Sequence, residues 1–276
     1  MAAAFAAALG VLVLALLLAG GGKHRAASGQ PVHASAKPPS RTPHRTVAPA
    51  AGSAIDRLLA RQPFISSGGG ERREIALTFD DGPGPYTPRL LAQVAKLHVP
   101  ATFFEVGSMI RYFHASLTRE LALGEVIGDH TELHPPMAQL SASGQESQIV
   151  SQAQQVTHYG APFPRLYRPP YGSFNRTTLA ILRRFHMLMV LWSTDTEDYR
   201  QPGVGAIVRR ALAGARPGAI LLMHDAGGTR TQTIAALPLI VNALRKRGFR
   251  LVTVPQLIQD DPPRRTQPLP TTLAGG

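Results

Sequence analysis

Asp80 and Asp81 stand side by side in Thr78-Phe79-Asp80-Asp81-Gly82-Pro83, directly after the apolar run Ile75-Ala76-Leu77. Adjacent carboxylates repel, and desolvating them together costs free energy unless a cation or a proton offsets their charge. A metal held by one and a proton managed by the other would satisfy both. His130 and His134 follow in Gly128-Asp129-His130-Thr131-Glu132-Leu133-His134-Pro135. Pro135 disfavours helical geometry at the residue before it, so a loop or turn should present the two imidazoles to one ion. Two histidines and one carboxylate with open positions suit zinc or another divalent transition metal. Spacing alone also allows a structural role for the pair. Further polar groups occur in Arg168-Pro169-Pro170-Tyr171-Gly172, in Asp195-Thr196-Glu197-Asp198-Tyr199, and in Leu222-Met223-His224-Asp225. The remaining histidines read as structural or solvated. His98, His114, His158 and His186 lie on or beside helical patterns without an acidic partner, and His24, His33 and His44 lie in a polar stretch.

These groups share a placement, because each follows a strand-like run. Strands are expected at Glu74–Phe79, Ala101–Val106, Glu125–Gly128, Arg165–Arg168, Met187–Trp192, Ala219–Met223 and Arg250–Val254. Helical patterns fall between them, at Thr87–Leu97, Ser143–His158, Arg176–Phe185, Val204–Ala213 and Pro238–Arg247. Ser143 with Glu146 has the form of a capping box, and Gly248 of a helix stop. Strand–helix alternation implies a parallel sheet with right-handed crossovers. About seven strands, against the eight strands and roughly 250 residues of a full barrel, predict an α/β fold that is a distorted or incomplete (β/α) barrel. Such barrels place their chemistry at the carboxyl ends of the strands.

In order and spacing, these segments resemble the polysaccharide deacetylases with a NodB-homology domain, the fourth family of carbohydrate esterases. The resemblance runs from about Ile75 to Leu257 and takes in all five motifs of that family. It extends to the flanking words Pro100-Ala101-Thr102-Phe103-Phe104, Pro217-Gly218-Ala219-Ile220 and Arg247-Gly248-Phe249. It implies a NodB-type deacetylase barrel with Asp81, His130 and His134 as the metal triad. Asp80 would be the general base acting on water beside the metal, and Arg168 would hold it. The backbone N–H of Tyr171 would help stabilise the oxyanion. His224 would be the general acid, oriented by Asp198, which also raises its pKa. Leu222 would line the pocket for the acetyl methyl, with Tyr199, Pro169 and Pro170 also at the pocket. The cofactor implied is a divalent metal, foremost Zn²⁺, with Co²⁺ or Ni²⁺ as alternatives.

Three positions depart from the family pattern. Asp129 stands where Asn is usual, Tyr199 where Trp is usual, and Leu133 where a small polar residue is common. The resemblance implies removal of N-acetyl groups from peptidoglycan or a chitin-like glycan. An O-acetyl esterase acting on a substrate such as acetylxylan, a small-amide hydrolase, and an inactive wall-binding module are the competing readings.

Composition bounds the rest. The chain has 276 residues, 26 glycines, 24 prolines and no cysteine, which excludes thiolate metal sites, catalytic cysteines and disulfides. Ala2–Gly22 is uncharged and long enough to span a bilayer, so residues 1–22 are expected to be a signal peptide or membrane anchor. No basic segment precedes it, and Lys23 and Arg25 after it run against outward orientation. Export is still expected, because a glycan-acting domain makes better sense outside. Residues 23–70 read as a basic Pro/Ser/Gly-rich linker, residues 71–260 as the catalytic domain and residues 261–276 as a disordered tail. Net charge is +12, and between Lys23 and Gly52 there are five basic and no acidic residues. That stretch is either attracted to a membrane or anionic cell-wall surface or is simply a solvated linker. It has no aromatic residue to stack on bases, so nucleic acid is not an expected partner.

Overall fold

The seven expected strands all form, and two more join them. A computed structural model describes residues 49–264 and residue 267. The strands are β1 (Phe64–Ile65), β2 (Glu74–Asp80), β3 (Thr102–Glu105), β4 (Val126–Asp129), β5 (Leu166–Tyr167), β6 (Leu188–Val190), β7 (Thr194–Asp195), β8 (Ala219–His224) and β9 (Arg250–Val252). They make one nine-stranded sheet in the order β1-β6-β5-β4-β3-β2-β8-β7, with β9 also paired to β2. Every ladder is parallel. The sheet curls until its ends approach. The run after β6 leaves β1 with Leu191 N–H on Ile65 O and reaches β8 with Ser193 N–H on Ile220 O. Beyond β1, an isolated antiparallel bridge joins Ser67 to Ala219. The barrel is therefore distorted and incompletely laddered, as the alternation predicts.

Helices α1 (Pro49–Leu59), α2 (Thr87–Leu97), α3 (Gly107–Leu123), α4 (Ala142–His158), α5 (Arg176–Arg184), α6 (Val204–Ala213), α7 (Thr231–Lys246) and α8 (Val254–Asp260) complete the fold. Side-chain alternation along β2 shows how the layers separate. Ile75, Leu77 and Phe79 face the helices and pack with Leu90, Leu91 and Val94 of α2 and with Leu237, Ile240 and Leu244 of α7. Ala76 faces the barrel interior with Phe104, Tyr167, Ile220 and Leu222. Thr78 and Asp80 continue that inner row toward the carboxyl end, which is how the strand delivers a carboxylate to the mouth.

Several boundaries differ from expectation. The N-cap of α4 is Ser141, whose hydroxyl accepts from Gly144 N–H at 3.2 Å, so no capping box forms from Ser143 and Glu146. Helix α7 starts at Thr231 and carries Pro238 inside it, whereas the sequence pattern starts the helix at that proline. Placing the start of the folded domain near Glu71 is also corrected. Ala54, Ile55 and Leu58 of α1 are buried with Leu257 and Ile258 of α8, and β1 is a strand of the sheet. The tail does not begin at Asp261 either. The Asp261 carboxylate accepts from the N–H groups of Glu71 and Arg72 at 2.7 and 2.8 Å, and the Gln267 amide donates to Ser67 O at 2.8 Å. The apolar and basic stretch of residues 1–48 lies outside the described residues. Among the described residues, no helix is long and apolar enough to cross a membrane.

Candidate active site

Parallel pairing sets the site's geometry before any side chain is considered. In register, Asp80 of β2 is the partner of His224 of β8 on one side and of Phe104 on the other. A one-residue slip would turn these side chains to the wrong face. Asp81 leaves the strand with φ +75°. That left-handed step breaks the strand's alternation, so Asp80 and Asp81 both line one cavity of about 470 Å³. Thr131, His134 and Tyr171 also have φ values of +69°, +59° and +57°. Left-handed backbone at non-glycine residues is sparsely populated and tends to gather at functional sites.

His130 and His134 come from the loop after β4, as Pro135 requires. Thr131 N–H donates to Asp129 Oδ1 at 2.7 Å, and His134 N–H donates to Thr131 Oγ1 at 2.9 Å. His130 Nδ1 lies 2.7 Å from the carbonyl oxygen of Arg168. A carbonyl can only accept, so Nδ1 carries the proton and the lone pair of Nε2 faces the cavity. His134 Nδ1 is 3.1 Å from the Tyr171 hydroxyl. The two Nε2 atoms stand 3.5 and 3.1 Å from Asp81 Oδ1, which has no hydrogen-bond donor of its own. An orphaned carboxylate oxygen facing two imidazole lone pairs fits a divalent metal, with outer hydrogen bonds fixing both rings. Burial pushes Asp81 up, but His130, His134 and His224, when protonated, outweigh it through hydrogen bonds and positive charge and hold the carboxyl well below its usual range.

Asp80 is held from below. Arg168 is completely buried and its Nη1 donates to Asp80 Oδ1 at 2.6 Å and to Thr78 Oγ1 at 2.8 Å. Its Nε and Nη2 donate to Val190 O and Leu191 O at 3.0 and 3.2 Å, and its guanidinium lies 4.1 Å from the Phe104 ring centroid. All three nitrogens of the guanidinium are thus engaged and one of its faces lies on an aromatic ring, and Asp80 Oδ2 is left toward the cavity, 3.8 Å from His130 Nε2. Burial lowers the Arg168 pKa, and Asp80 opposes it.

Across the cavity, His224 Nδ1 is 2.8 Å from Asp198 Oδ1. Asp198 Oδ2 accepts from His224 N–H at 2.9 Å and from Thr233 Oγ1 at 2.6 Å. Burial works against a charged imidazole, yet Asp198 outweighs it and raises the His224 pKa to about 9. The same pair keeps Asp198 below its ordinary value against the pull of burial. Tyr199 packs edge-on to His224 with ring centroids 5.4 Å apart.

Asp80, Asp81, His130, His134, Pro169, Tyr171, Tyr199, Leu222 and His224 therefore all border one cavity, with Arg168 and Asp198 bonded to two of them from behind. Pro170 is corrected: it is buried, opens the 3-10 turn Pro170–Gly172, and does not line the cavity. Asp129 is fully buried, and burial together with Glu132 pushes its carboxyl well above the ordinary range. In its neutral form it resembles the Asn it replaces. Leu133 is exposed at the rim.

Sequence reasoning missed three contributors. Trp192 lines the cavity beside the broken strand. Thr233 holds Asp198, and it was legible as the first member of the stripe Thr233, Leu237, Ile240, Leu244 once α7 is allowed to run through Pro238. Arg230, almost wholly buried, donates from Nε to Ala226 O at 2.6 Å and places Nη2 4.0 Å from Asp81 Oδ2. A lone arginine after Gly227-Gly228 gives no pattern by which to find it.

Comparison with known proteins gives a consistent answer. Residues 67–190 match the family model described as polysaccharide deacetylase. The chain is 35% identical over 199 residues to a chitooligosaccharide deacetylase of Bradyrhizobium sp. (strain ANU 289), covering 67% of this chain and 90% of that protein. It is 32% identical to a peptidoglycan-N-acetylglucosamine deacetylase of Bacillus cereus, covering 73% of this chain and 74% of the relative. Among solved structures, the Bc1960 peptidoglycan N-acetylglucosamine deacetylase superposes with a TM-score of 0.71 at 30% identity, over 76% of this chain and 100% of that one. BA3943 from Bacillus anthracis, described as a pseudoenzyme of the fourth carbohydrate esterase family, superposes with a TM-score of 0.68 at 27% identity, over 74% and 71%. With this sequence similarity spanning nine-tenths of a curated relative, and with this barrel, the chain belongs to the polysaccharide deacetylase family.

Proposed function

We propose that this protein is a metal-dependent hydrolase that removes N-acetyl groups from N-acetylated sugar polymers, peptidoglycan or a chitin-like glycan, outside the membrane. One observation carries the reading. Asp81 Oδ1 and the Nε2 atoms of His130 and His134 converge beside Asp80, opposite His224, whose Nδ1 is held by Asp198. Asp81, His130 and His134 would hold the metal, with Zn²⁺ the best match and Co²⁺ or Ni²⁺ the alternatives. When bound, it supplies Lewis-acid chemistry, polarising the acetamide carbonyl and making water more acidic.

The chain's own groups account for both proton transfers. Asp80, pinned through Oδ1 by Arg168, takes a proton on Oδ2 from the water whose oxygen attacks the carbonyl carbon. The Tyr171 backbone N–H, at the left-handed turn that borders the cavity, stabilises the negative oxygen that forms. His224 then gives its Nε2 proton to the amine nitrogen as the C–N bond breaks, leaving acetate and a free amino sugar. Nδ1 cannot play that part, because Asp198 occupies it. Positioned acids and bases each contribute typically about 10²–10⁴-fold. Leu222, Pro169 and Trp192 give the acetyl methyl an apolar wall, and Tyr199 borders the sugar.

The pseudoenzyme relative shows that this fold also occurs without activity, so retained groups decide the matter. Here both carboxylates, both imidazoles and the His224–Asp198 pair are in place. The Ala2–Gly22 run would serve export or anchoring, and the basic stretch after it would approach the anionic wall. The test is acetate release from N-acetylglucosamine oligomers, peptidoglycan and acetylxylan, with Zn²⁺, Co²⁺ and Ni²⁺ added back separately to metal-free protein. Release from the first two supports the proposal. Release from acetylxylan alone replaces it with an esterase, and silence on all three with metal bound overturns it.

A further inference from the structure

A second group of carboxylates lies behind the catalytic turn, and the mechanism makes no use of it. Glu105 ends β3, Glu120 lies on the inner side of α3, and Asp225 follows His224 at the end of β8. One carboxylate oxygen from each lies within 4.8 Å of the other two. None borders the active-site cavity. All three residues are fully buried. Both oxygens of Glu105, both of Glu120 and Oδ1 of Asp225 are buried without any hydrogen-bond donor. No Lys, Arg or His among the described residues pairs with them. Three carboxylates from three separate elements thus converge, and five of their six oxygens have no hydrogen-bond donor. Buried ionised carboxylates persist only when they are paired or coordinate a metal, and otherwise take up protons. Burial raises all three pKa values, with repulsion from neighbouring carboxylates added: Glu120 and Asp225 act on Glu105, Asp225 acts on Glu120, and Asp81 helps push Asp225 to about 7.

We propose that Glu105, Glu120 and Asp225 form a second metal site, which takes a hard divalent cation of the calcium type. The donor set decides the class. It holds only carboxylate oxygens, whereas a transition metal would favour the imidazoles of His130 and His134. Calcium accepts six to eight oxygens at about 2.3–2.6 Å in flexible geometry, so oxygens on opposite sides of the ion are about 4.6–5.2 Å apart. Three carboxylates within 4.8 Å of one another match that span and can each bind through one or two oxygens. Magnesium demands shorter, near-octahedral contacts and retains several waters, for which a fully buried pocket is poorly suited.

The position gives the ion a structural task. Thr87 donates its hydroxyl to Asp225 Oδ2 and accepts from Gly84 N–H at 2.7 Å. Asp225 N–H donates to Asp80 O at 3.2 Å, and Val106 N–H, next to Glu105, donates to Gly82 O at 2.7 Å. An ion that gathers Glu105 and Asp225 would therefore brace the turn from Asp80 to Thr87 from both sides.

The test uses the full chain with the catalytic site first loaded with zinc. Metal content is measured after dialysis against CaCl₂, and CaCl₂ alone is titrated by calorimetry and by thermal unfolding. One Ca²⁺ per chain beyond the zinc is expected, with Tm rising by about 5–10 °C at roughly 100-fold excess over Kd. Glu120→Gln, nearly isosteric, should lose that uptake and the Tm gain while zinc stays at one per chain. Glu105→Gln serves if the first variant does not fold. Two results overturn the proposal. One is zinc-loaded protein that takes up no Ca²⁺ at millimolar concentration while Glu120→Gln is as stable as the parent, which means that protons neutralise the cluster. The other is undiminished Ca²⁺ uptake by both glutamine variants, which places the ion elsewhere.

Discussion

Asp80 and Asp198 are the same residue type, and their neighbours give them opposite tasks. Asp80 has one oxygen on a buried guanidinium and the other facing the cavity, so it can receive a proton. Asp198 has both oxygens occupied by His224 and Thr233 and can only orient and polarise. Asp80→Asn should keep zinc at one per chain and lower kcat by about 10²–10⁴-fold. Unchanged kcat with zinc bound would remove Asp80 from the proton transfer. Asp198→Asn tests the other side. His224 is an acid only while protonated, so its contribution persists below its pKa, raised to about 9, and fades above it. Bound metal offsets Asp80 and Asp81, which also raise that pKa, so the alkaline limb of kcat in loaded enzyme should fall somewhat below 9. Loss of the Asp198 charge should move that limb further toward acid by about one unit or more, and an unmoved limb would assign it to another group. Linkage has the same sign. A raised folded pKa stabilises fully below the unfolded value of about 6.5, and that stability is lost as pH climbs through about 9. The polar residues of the site were legible because they gather just after apolar strand runs. Arg230 and Trp192 were not, since their contribution comes from the path of a loop and from a break between β6 and β7.

Element by element, the site is a consequence of which strands are neighbours. β2 between β3 and β8 puts Asp80 level with His224 and Phe104, and β4 next to β3 puts Gly128 level with Phe104. Gly128 is needed there. A Cβ at that position would stand 2.5 Å from Phe104 Cδ1, and the Phe104 ring supports the Arg168 guanidinium that holds Asp80. Gly128→Ala should destabilise the fold by about 1–3 kcal/mol, read from urea unfolding. It should also lower kcat without loss of zinc, because the displaced ring shifts Arg168. A variant with parental stability and kcat would show that the ring has room to move. Strand runs were readable because parallel strands buried on both faces are continuous apolar stretches. Helix boundaries were less so. Helix α3 contains a non-helical residue, Phe113, and exposes Tyr112, so its apolar stripe is broken. In α7, Pro238 looks like a start signal, although the first turns before it supply the threonine that holds Asp198.

For the molecule as a whole, the segment that composition assigns to a linker is partly a component of the barrel. Polar, Ser- and Gly-rich sequence hid this, because α1 has only a short apolar face and β1 only two residues. Yet Ala54, Ile55 and Leu58 bury against Leu257 and Ile258, and Ile65 is fully buried where β1 extends the ladder of β6. Asp261 and Gln267 close the same region by bonding residues 66–72. A chain starting at Glu71 would bare the edge of β6 and the face of α8, and would lose the Ile65 O acceptor of Leu191 N–H, which begins the run toward β8. Each large buried side chain removed costs about 2–5 kcal/mol when deleted singly. A chain from residue 71 should therefore unfold well below one that starts at residue 49 in thermal melts, and should aggregate through the exposed β6 edge. Its deacetylase activity should fall as well, since Val190 O and Leu191 O are the acceptors that orient Arg168. Equal Tm and equal kcat for the two chains would mean that α1 and β1 ride on the domain and do not support it.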